Sequence, residues 1–427
     1  ARASPRLRQF GFAVVGLALA GIAWLTLRPA HASSLNSHLC LVCGAHGGVD
    51  ILLNTLLFVP LGVGLSLSGL SVRNAVLFCF ALSLSIEAAQ AFVVGGRDST
   101  LSDVVTNTLG GSIGFWSALT APVWLAPSRK TAAWLIAVWG GIWVLIQVVS
   151  SYSVAPSLPA SQYYGDLAHP LGGRTMFHGD VASARIGAIP IPTGAFVDSR
   201  SIRQALLNGT PIEAVLRLDE PTPNFASIIR VADDKQRGLA SIAENGDQLI
   251  FGIRTRASNL RLLEPAFALP GVFGELRPPA DPATQTLVIS AGFRDGTVRI
   301  AAQTPLALRE LNLSPRAELG WTVVLPHQWY LGNGGIERTA TFLWMGALLI
   351  PLGYWGTALA RQSNGAGAFA LIAVPGVVLA GLILVPTTFG LRSATLLAWI
   401  SAVSGVGVGS ALTLAFSGYK QKSRARA

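Results

Sequence analysis

Acidic residues are nearly absent from most of this 427-residue chain. Of its 21 Asp and Glu, only Asp50, Glu87, Asp98 and Asp103 fall outside residues 151–337. Charge of either sign is scarce: 12% of residues are charged against 51% hydrophobic. An ordinary soluble domain carries about a quarter charged residues, so this class is excluded. Three cysteines are too few for a disulfide-built scaffold. Of its six histidines, His169, His178 and His327 are scattered and show no catalytic arrangement. The net charge of +10 does not point to nucleic acid, because residues 151–337 hold 16 Lys+Arg against 17 Asp+Glu. The basic surplus sits in short segments beside apolar runs (Arg2, Arg6 and Arg8; Arg129 and Lys130; Lys420 to Arg426), the distribution of the positive-inside rule.

What fills the chain instead is apolar sequence in long runs, near 10–28, 50–69, 74–94, 101–121, 132–151, 339–359, 368–386 and 394–416. A helical span needs roughly 20 such residues, so the expected architecture is a multi-span α-helical membrane protein with about eight transmembrane helices. The first run follows basic residues and lacks a clear small-residue cleavage site, which reads as a retained anchor. With the basic amino terminus inside, both termini are cytoplasmic and residues 152–337 extracytoplasmic, in a bacterial inner membrane. Gly, Ser and Thr in the third and fourth runs favour close helix packing. Trp24, Trp124, Trp134, Tyr354, Trp355 and Tyr419 lie near span ends as interface anchors.

The central block has a different rhythm. Short stretches of alternating apolar residues (212–218, 226–232, 238–244, 247–255, 286–293 and 296–303) are separated by Gly, Pro and Asn-Gly or Asp-Gly turns. That pattern predicts an all-β sandwich. The division expected is a five-helix domain over 1–151, the sandwich over 152–337, and three helices with a basic tail over 338–427.

VDILLNTLLFVPLG (49–62), SLSIEAAQ (83–90), GGRDSTLSDVVTNTLGG (95–111) and IGFW (113–116) together resemble the VanZ-like family of bacterial membrane proteins. The order N…F-x-P-L-G, E-x-x-Q, R…D-x-x-x-N carries the resemblance. It implies that Asn54, Glu87, Gln90, Arg97, Asp103 and Asn107 are the family's polar positions. It also implies cell-envelope work, since that family is associated with glycopeptide antibiotic resistance. Residues 161–325, above all 212–255 with its Ala-Asp-Asp turn, more loosely resemble the concanavalin-like and laminin-G-like jelly roll. That likeness implies glycan binding and possible use of Ca2+.

Spacing alone gathers the same membrane residues. Asp50 and Asn54 are i,i+4; Glu87 and Gln90 are i,i+3; Asp103 and Asn107 are i,i+4. Each pair shares one helix face, and each sits toward the same end of its run. Polar groups in hydrocarbon are costly unless they face one another, so a shared interior site is expected. Arg97, in the short loop between two of these runs, could grip a phosphate with its planar fork. Glu87, the deepest acid, is the candidate general acid or base. Three readings stay open: a structural network, a ligand-binding site, and a catalytic one.

Elsewhere the chemistry-bearing residues are sparse. Asp233 and Asp234 are the weak candidates for a calcium site. Cys40 and Cys43 are candidates for a disulfide, with His31, His38 and His46 nearby as incomplete metal ligands. The expected partners are membrane lipids and a lipid-linked or cell-wall glycan, with no nucleic acid. The competing function is a non-enzymatic membrane-anchored adhesion or scaffold protein, or an accessory subunit of a membrane complex. A transporter is disfavoured, because the polar residues concentrate in the amino-terminal runs and the last three carry no acid beyond Glu337 at their start.

Overall fold

The computed structural model describes residues 4–28, 45–94, 100–168, 176–218, 222, 224–275, 286–304, 307–325, 330–332, 334–362 and 364–425. The chain forms two compact units, residues 1–135 with 358–367 and residues 136–357 with 368–427.

The first unit is helical. Helix α1 (Pro5–Thr26) starts where Ser4 Oγ accepts the Leu7 N–H and Pro5 takes the first turn, in which a missing N–H costs nothing. Helix α2 (Gly47–Leu67) runs unbroken through Pro60. Ser71 caps α3 (Val72–Phe92) in the same way as Ser4 caps α1. Thr100 caps α4 (Leu101–Leu119), with Asp103 in its first turn at the positive end of the helix dipole. The short α5 (Ala121–Leu125) follows.

Close approach of backbones holds this unit together. A side chain at Gly62 would strike the Gly111 carbonyl, one at Gly110 the Thr55 carbonyl, and one at Gly114 the Val59 carbonyl, so α2 and α4 touch along their backbones. Gly11 meets the end of α2, and Gly111 lies against Cys79 of α3. Small residues do this work in a membrane because lipid tails offer no hydrophobic gain from helix association. Phe58, Leu61, Leu65, Ile86 and Phe115 fill the space between.

The second unit starts within α6 (Arg129–Ser153) and combines a β-sandwich with helices. Its strands are β1 (Tyr163–Leu167), β2 (Asp180–Ile186), β3 (Ile189–Pro190), β4 (Gly194–Ala195), β5 (Ile212–Arg217), β6 (Ala226–Asp233), β7 (Gly238–Asn245), β8 (Gln248–Ile253), β9 (Ala266–Leu269), β10 (Thr286–Arg294), β11 (Thr297–Gln303), β12 (Leu308–Leu313) and β13 (Tyr330–Leu331). Helices α7 (Ser199–Leu207) and α8 (Val272–Glu275) are inserted among them. One sheet has the order β13-β9-β8-β7-β6-β1-β4, the other β12-β11-β10-β5-β2-β3. All pairs are antiparallel except β13 with β9. The expected sandwich is present, and six of its strands coincide with the six stretches read from alternation. At the β10–β11 turn Asp295 and Gly296 both take positive φ, the geometry that makes Asp-Gly a tight hairpin. Leu216, Phe251, Phe267, Ile289, Ile300 and Trp321 are buried between the sheets and their flanking turns.

Helices α9 (Gly335–Ala360), α10 (Asn364–Leu379), α11 (Val385–Thr388) and α12 (Leu396–Ala425) follow, a π-turn over Ala380–Leu384 joining α10 to α11. Within the unit, Gly353 and Gly409 bring α9 and α12 to backbone contact, and Gly381 of the π-turn lies under the Trp143 indole. The sandwich is tied to these helices directly. Trp321 Nε1 donates to Thr341 Oγ1 at 3.0 Å, and the buried Glu318 accepts the Thr395 N–H at 2.8 Å and its hydroxyl at 2.6 Å.

Seven described helices are long and apolar enough to cross a membrane: Pro5–Thr26, Gly47–Leu67, Val72–Phe92, Arg129–Ser153, Gly335–Ala360, Ala370–Thr388 and Leu396–Phe416. About eight were expected. The remaining run, 101–121, is helical as α4, but Asp103, Thr106, Asn107 and Thr108 lower its hydropathy below that of the others. Tyr354 and Trp355 also differ from the anchors they resemble in sequence: both are buried, and Trp355 meets Trp139 edge-on at 6.2 Å.

Candidate ligand-binding site

Helix α3 presents Ser83, Glu87 and Gln90 on one face, and all three are buried. Glu87 is 8% exposed, and its Oε2 accepts the Thr100 N–H at 2.7 Å. The acid therefore binds the residue that caps α4, at the end of that helix where backbone donors lack partners. Thr100 Oγ1 in turn accepts the Asp103 N–H at 3.1 Å, and Ser102 Oγ donates to Asp103 Oδ1 at 3.3 Å.

One turn further along α4, Asn107 is 2% exposed. Its Nδ2 donates to Ser83 Oγ at 2.9 Å, and Ser83 Oγ donates to the Asp103 carbonyl at 3.4 Å. The Asn107 Oδ1 is buried with no partner among the described residues. A buried acceptor left in that state costs about 1–3 kcal/mol. Asp103, half-buried, lies within electrostatic range of both Glu87 and Asp50, and His46 lies within range of Asp50. Carboxylates from α2, α3 and α4 thus share one neighbourhood. Asn54 stands one turn from Asp50 and is half-buried. Gln90, on that same face, is bonded to a different helix: its Nε2 donates to the Thr26 carbonyl at 2.9 Å, satisfying the last turn of α1.

The structure therefore gathers Glu87, Asp103 and Asn107, sets the exposed Asp50 within electrostatic range of Asp103 rather than in the interior, and gives Gln90 a link to α1. Arg97, Cys40 and Cys43 lie outside the described residues, as do Asp98, His31 and His38. Ser83 and Thr100 belong to the cluster and were not singled out from sequence. Ser83 is four residues before Glu87, a same-face signal that was available; Thr100 acts through its backbone N–H, which no side-chain pattern reveals. Acceptors dominate the cluster, so it suits a ligand rich in hydroxyl or ammonium donors.

In the sandwich, Asp233 is fully buried and both its oxygens are engaged. Oδ1 accepts the N–H groups of Lys235 and Arg237 at 3.0 and 2.8 Å, and Oδ2 accepts Arg237 Nε at 2.7 Å. Asp234 is exposed. No group of three or more His, Cys, Asp and Glu gathers as a metal site among the described residues. Cys79, buried between α3 and α4, is a free thiol. Trp321, 2% exposed, is part of the sandwich core.

Residues 14–123 match the VanZ/LLP1 family model, a stretch that contains α2, α3 and α4 and every residue of the cluster. The match encloses 49–116, where the family motifs were read. No curated protein and no solved structure matches the chain.

Proposed function

We propose that this membrane protein of the cell envelope uses its VanZ-like helices to bind the polar headgroup of a lipid or lipid-linked glycan. The sandwich, in this reading a laminin-G-like jelly roll on the extracytoplasmic side, engages the attached glycan. The observation that carries the reading is Asp103 within electrostatic range of both Asp50 and Glu87, on the helix whose buried Asn107 carbonyl oxygen has no partner among the described residues. A network serving only to fix helices has no use for a buried acceptor without a donor among the described residues, nor for one acid set within range of two others. Sugar or glycerol hydroxyls would supply the donors, and Arg97 would hold the phosphate that such ligands carry. Glu87 stands where it could exchange a proton with a bound hydroxyl.

A structural role for part of the cluster is favoured by specific contacts. Gln90 to Thr26 and Asn107 to Ser83 join helices whether or not a ligand is present. Native mass spectrometry of the purified protein separates the readings, with the wild type beside Glu87→Gln and Arg97→Ala. The expected result is a co-purified lipid or lipid-linked glycan, present in the wild type and lost in both variants while their melting temperatures stay close to that of the wild type. No adduct on the wild type, or one retained by both variants, refutes the binding site and leaves the helix-fixing network.

A further inference from the structure

The six-stranded sheet turns one face away from the sandwich core, and the end of that face toward the β10–β11 turn is polar, Val288 and Leu308 being exposed at the other end. Along β10, β11 and β12, the core-facing Leu287, Ile289, Val298 and Ile300 alternate with Ser290, Arg294, Arg299, Glu310 and Asn312. The register sets Arg299 opposite Asn312 and Arg294 opposite Thr297. These side chains floor a cavity of about 690 Å³, within the size range of small-molecule sites. Gly209, Pro211 and Ser314 line it from beside the strands, and Arg392 from the segment between α11 and α12.

That segment is held against the sandwich. Glu318 accepts both the N–H and the hydroxyl of Thr395, and Arg316 donates to the Ser393 carbonyl. Arg392 is therefore carried to the cavity by a braced loop. The loop joins two helices that are long and apolar enough to span a membrane, so Arg392 stands where the chain leaves the apolar layer. Three arginines face a single acid, Glu310, and the lining contains no aromatic ring. Arg294 has a neighbour in Asp295 at 3.6 Å, but both are well exposed, and such a pair holds an arginine only weakly. Ionic recognition is thus what the site offers; the aromatic stacking typical of neutral sugar recognition is missing.

We infer that this groove binds the phosphate of a glycerol phosphate or sugar phosphate. Arg299 and Arg392 grip the anion in forked pairs, while Asn312, Ser290 and Ser314 meet its hydroxyls. The chemistry is shared by an anionic lipid headgroup and by a free phosphorylated glycerol or sugar. The inference deepens the reading of the sandwich as a binding module and is independent of the cluster on α2–α4.

The test is calorimetric titration of glycerol 1-phosphate into the full chain in phosphate-free maltoside micelles, with glucose as the neutral control. The wild type is expected to bind glycerol 1-phosphate saturably and to lose affinity with added salt. Arg299→Ala and Arg392→Ala should each weaken binding more than tenfold and Arg299→Lys should recover part of it, with Glu87→Gln titrated beside them. All these positions in the groove are exposed, so the melting temperatures of the variants should match the wild type and report a local effect. Phosphatidylglycerol added to the micelles assigns the source: competition identifies a lipid headgroup, and its absence a free phosphorylated compound. Failure of the wild type to bind, or equal affinity in Arg299→Ala with Arg392→Ala combined, overturns the inference. So does glucose binding as well as the phosphate does, although the broader glycan-binding reading then survives. Loss of binding in Glu87→Gln alone would move the phosphate to the membrane cluster and overturn the groove.

Discussion

Asp233 offers a quantitative check on the sandwich. Its carboxylate is buried and holds three donors, two of them backbone N–H groups of the β6–β7 connection, with the Arg237 guanidinium also paired to it at 2.6 Å. Replacing Asp233 by Ala leaves these N–H groups without an acceptor, whereas Arg237 is exposed enough to turn to water. Breaking a buried pair from one side costs about 3–5 kcal/mol, and the solvent access of Arg237 places the expected loss at the lower end, about 3 kcal/mol. Asp233→Asn keeps one acceptor and loses the charge, so roughly half that loss is expected. Hydrogen exchange of the β6–β7 hairpin in the full chain reads the change locally. Each 1.36 kcal/mol is tenfold, so the Ala variant should exchange about a hundredfold faster. The pH dependence has a definite sign. Burial works against ionisation of Asp233, but the Arg237 hydrogen bonds and charge and the Lys235 N–H outweigh it, so the carboxyl titrates below its ordinary value. Its contribution is therefore complete above the unfolded pKa of about 3.9 and is lost as pH falls through the lower folded value. Protection of the hairpin should stay level through neutral pH and decline only in strong acid. Because both oxygens are occupied, calcium or a chelator should change nothing. Unaltered exchange in Asp233→Ala, or protection that depends on calcium, would refute this reasoning.

Other expectations follow from separate contacts. Gly114→Leu must separate α4 from the Val59 carbonyl of α2, and overpacking of that kind costs about 1–3 kcal/mol or more; thermal unfolding in detergent should show a lowered midpoint, and an unchanged midpoint would disprove the backbone contact. Glu318→Ala removes two bonds to Thr395, so exchange at 389–395 should rise by about 1.5–3 kcal/mol of lost protection, with β6–β7 unaffected. Burial raises the Glu264 carboxyl, despite Arg254 nearby, and its Oε1 has no partner among the described residues. A raised carboxylate contributes stability that is complete below the unfolded pKa and is lost as pH rises through the folded one; Glu264→Gln should remove that decline, which melting temperatures measured from pH 4 to 8 would detect.

The sequence alone determined the broad architecture, because the patterns involved are local. Apolar runs of spanning length mark helices whatever their partners, and period-two alternation ending in Asn-Gly or Asp-Gly marks β7–β8 and β10–β11. Strands without that signal escaped: β1 contains Gly165, β9 is four residues in a loop-rich stretch, and β12 alternates without a clear apolar face. The polar positions Asp50, Glu87, Asp103 and Asn107 were also legible, since a charge inside an apolar run stands out against its surroundings. Their interactions were not. Glu87 is bonded to a backbone N–H at the start of α4, Gln90 reaches a carbonyl of α1, and Asn107 keeps an acceptor without a partner among the described residues; each of these depends on how α3 packs against α4 and α1, which no local pattern records. Likewise Asp233 and Asp234 look alike as two adjacent acids, and only the turn they occupy buries one against Arg237 and leaves the other in water. The basic groove was the least visible of all. Its arginines are separated by nearly a hundred residues, and only the packing of the α11–α12 loop on the sandwich brings Arg392 to the face that carries Arg299, because charge convergence across a fold leaves no local period in the chain.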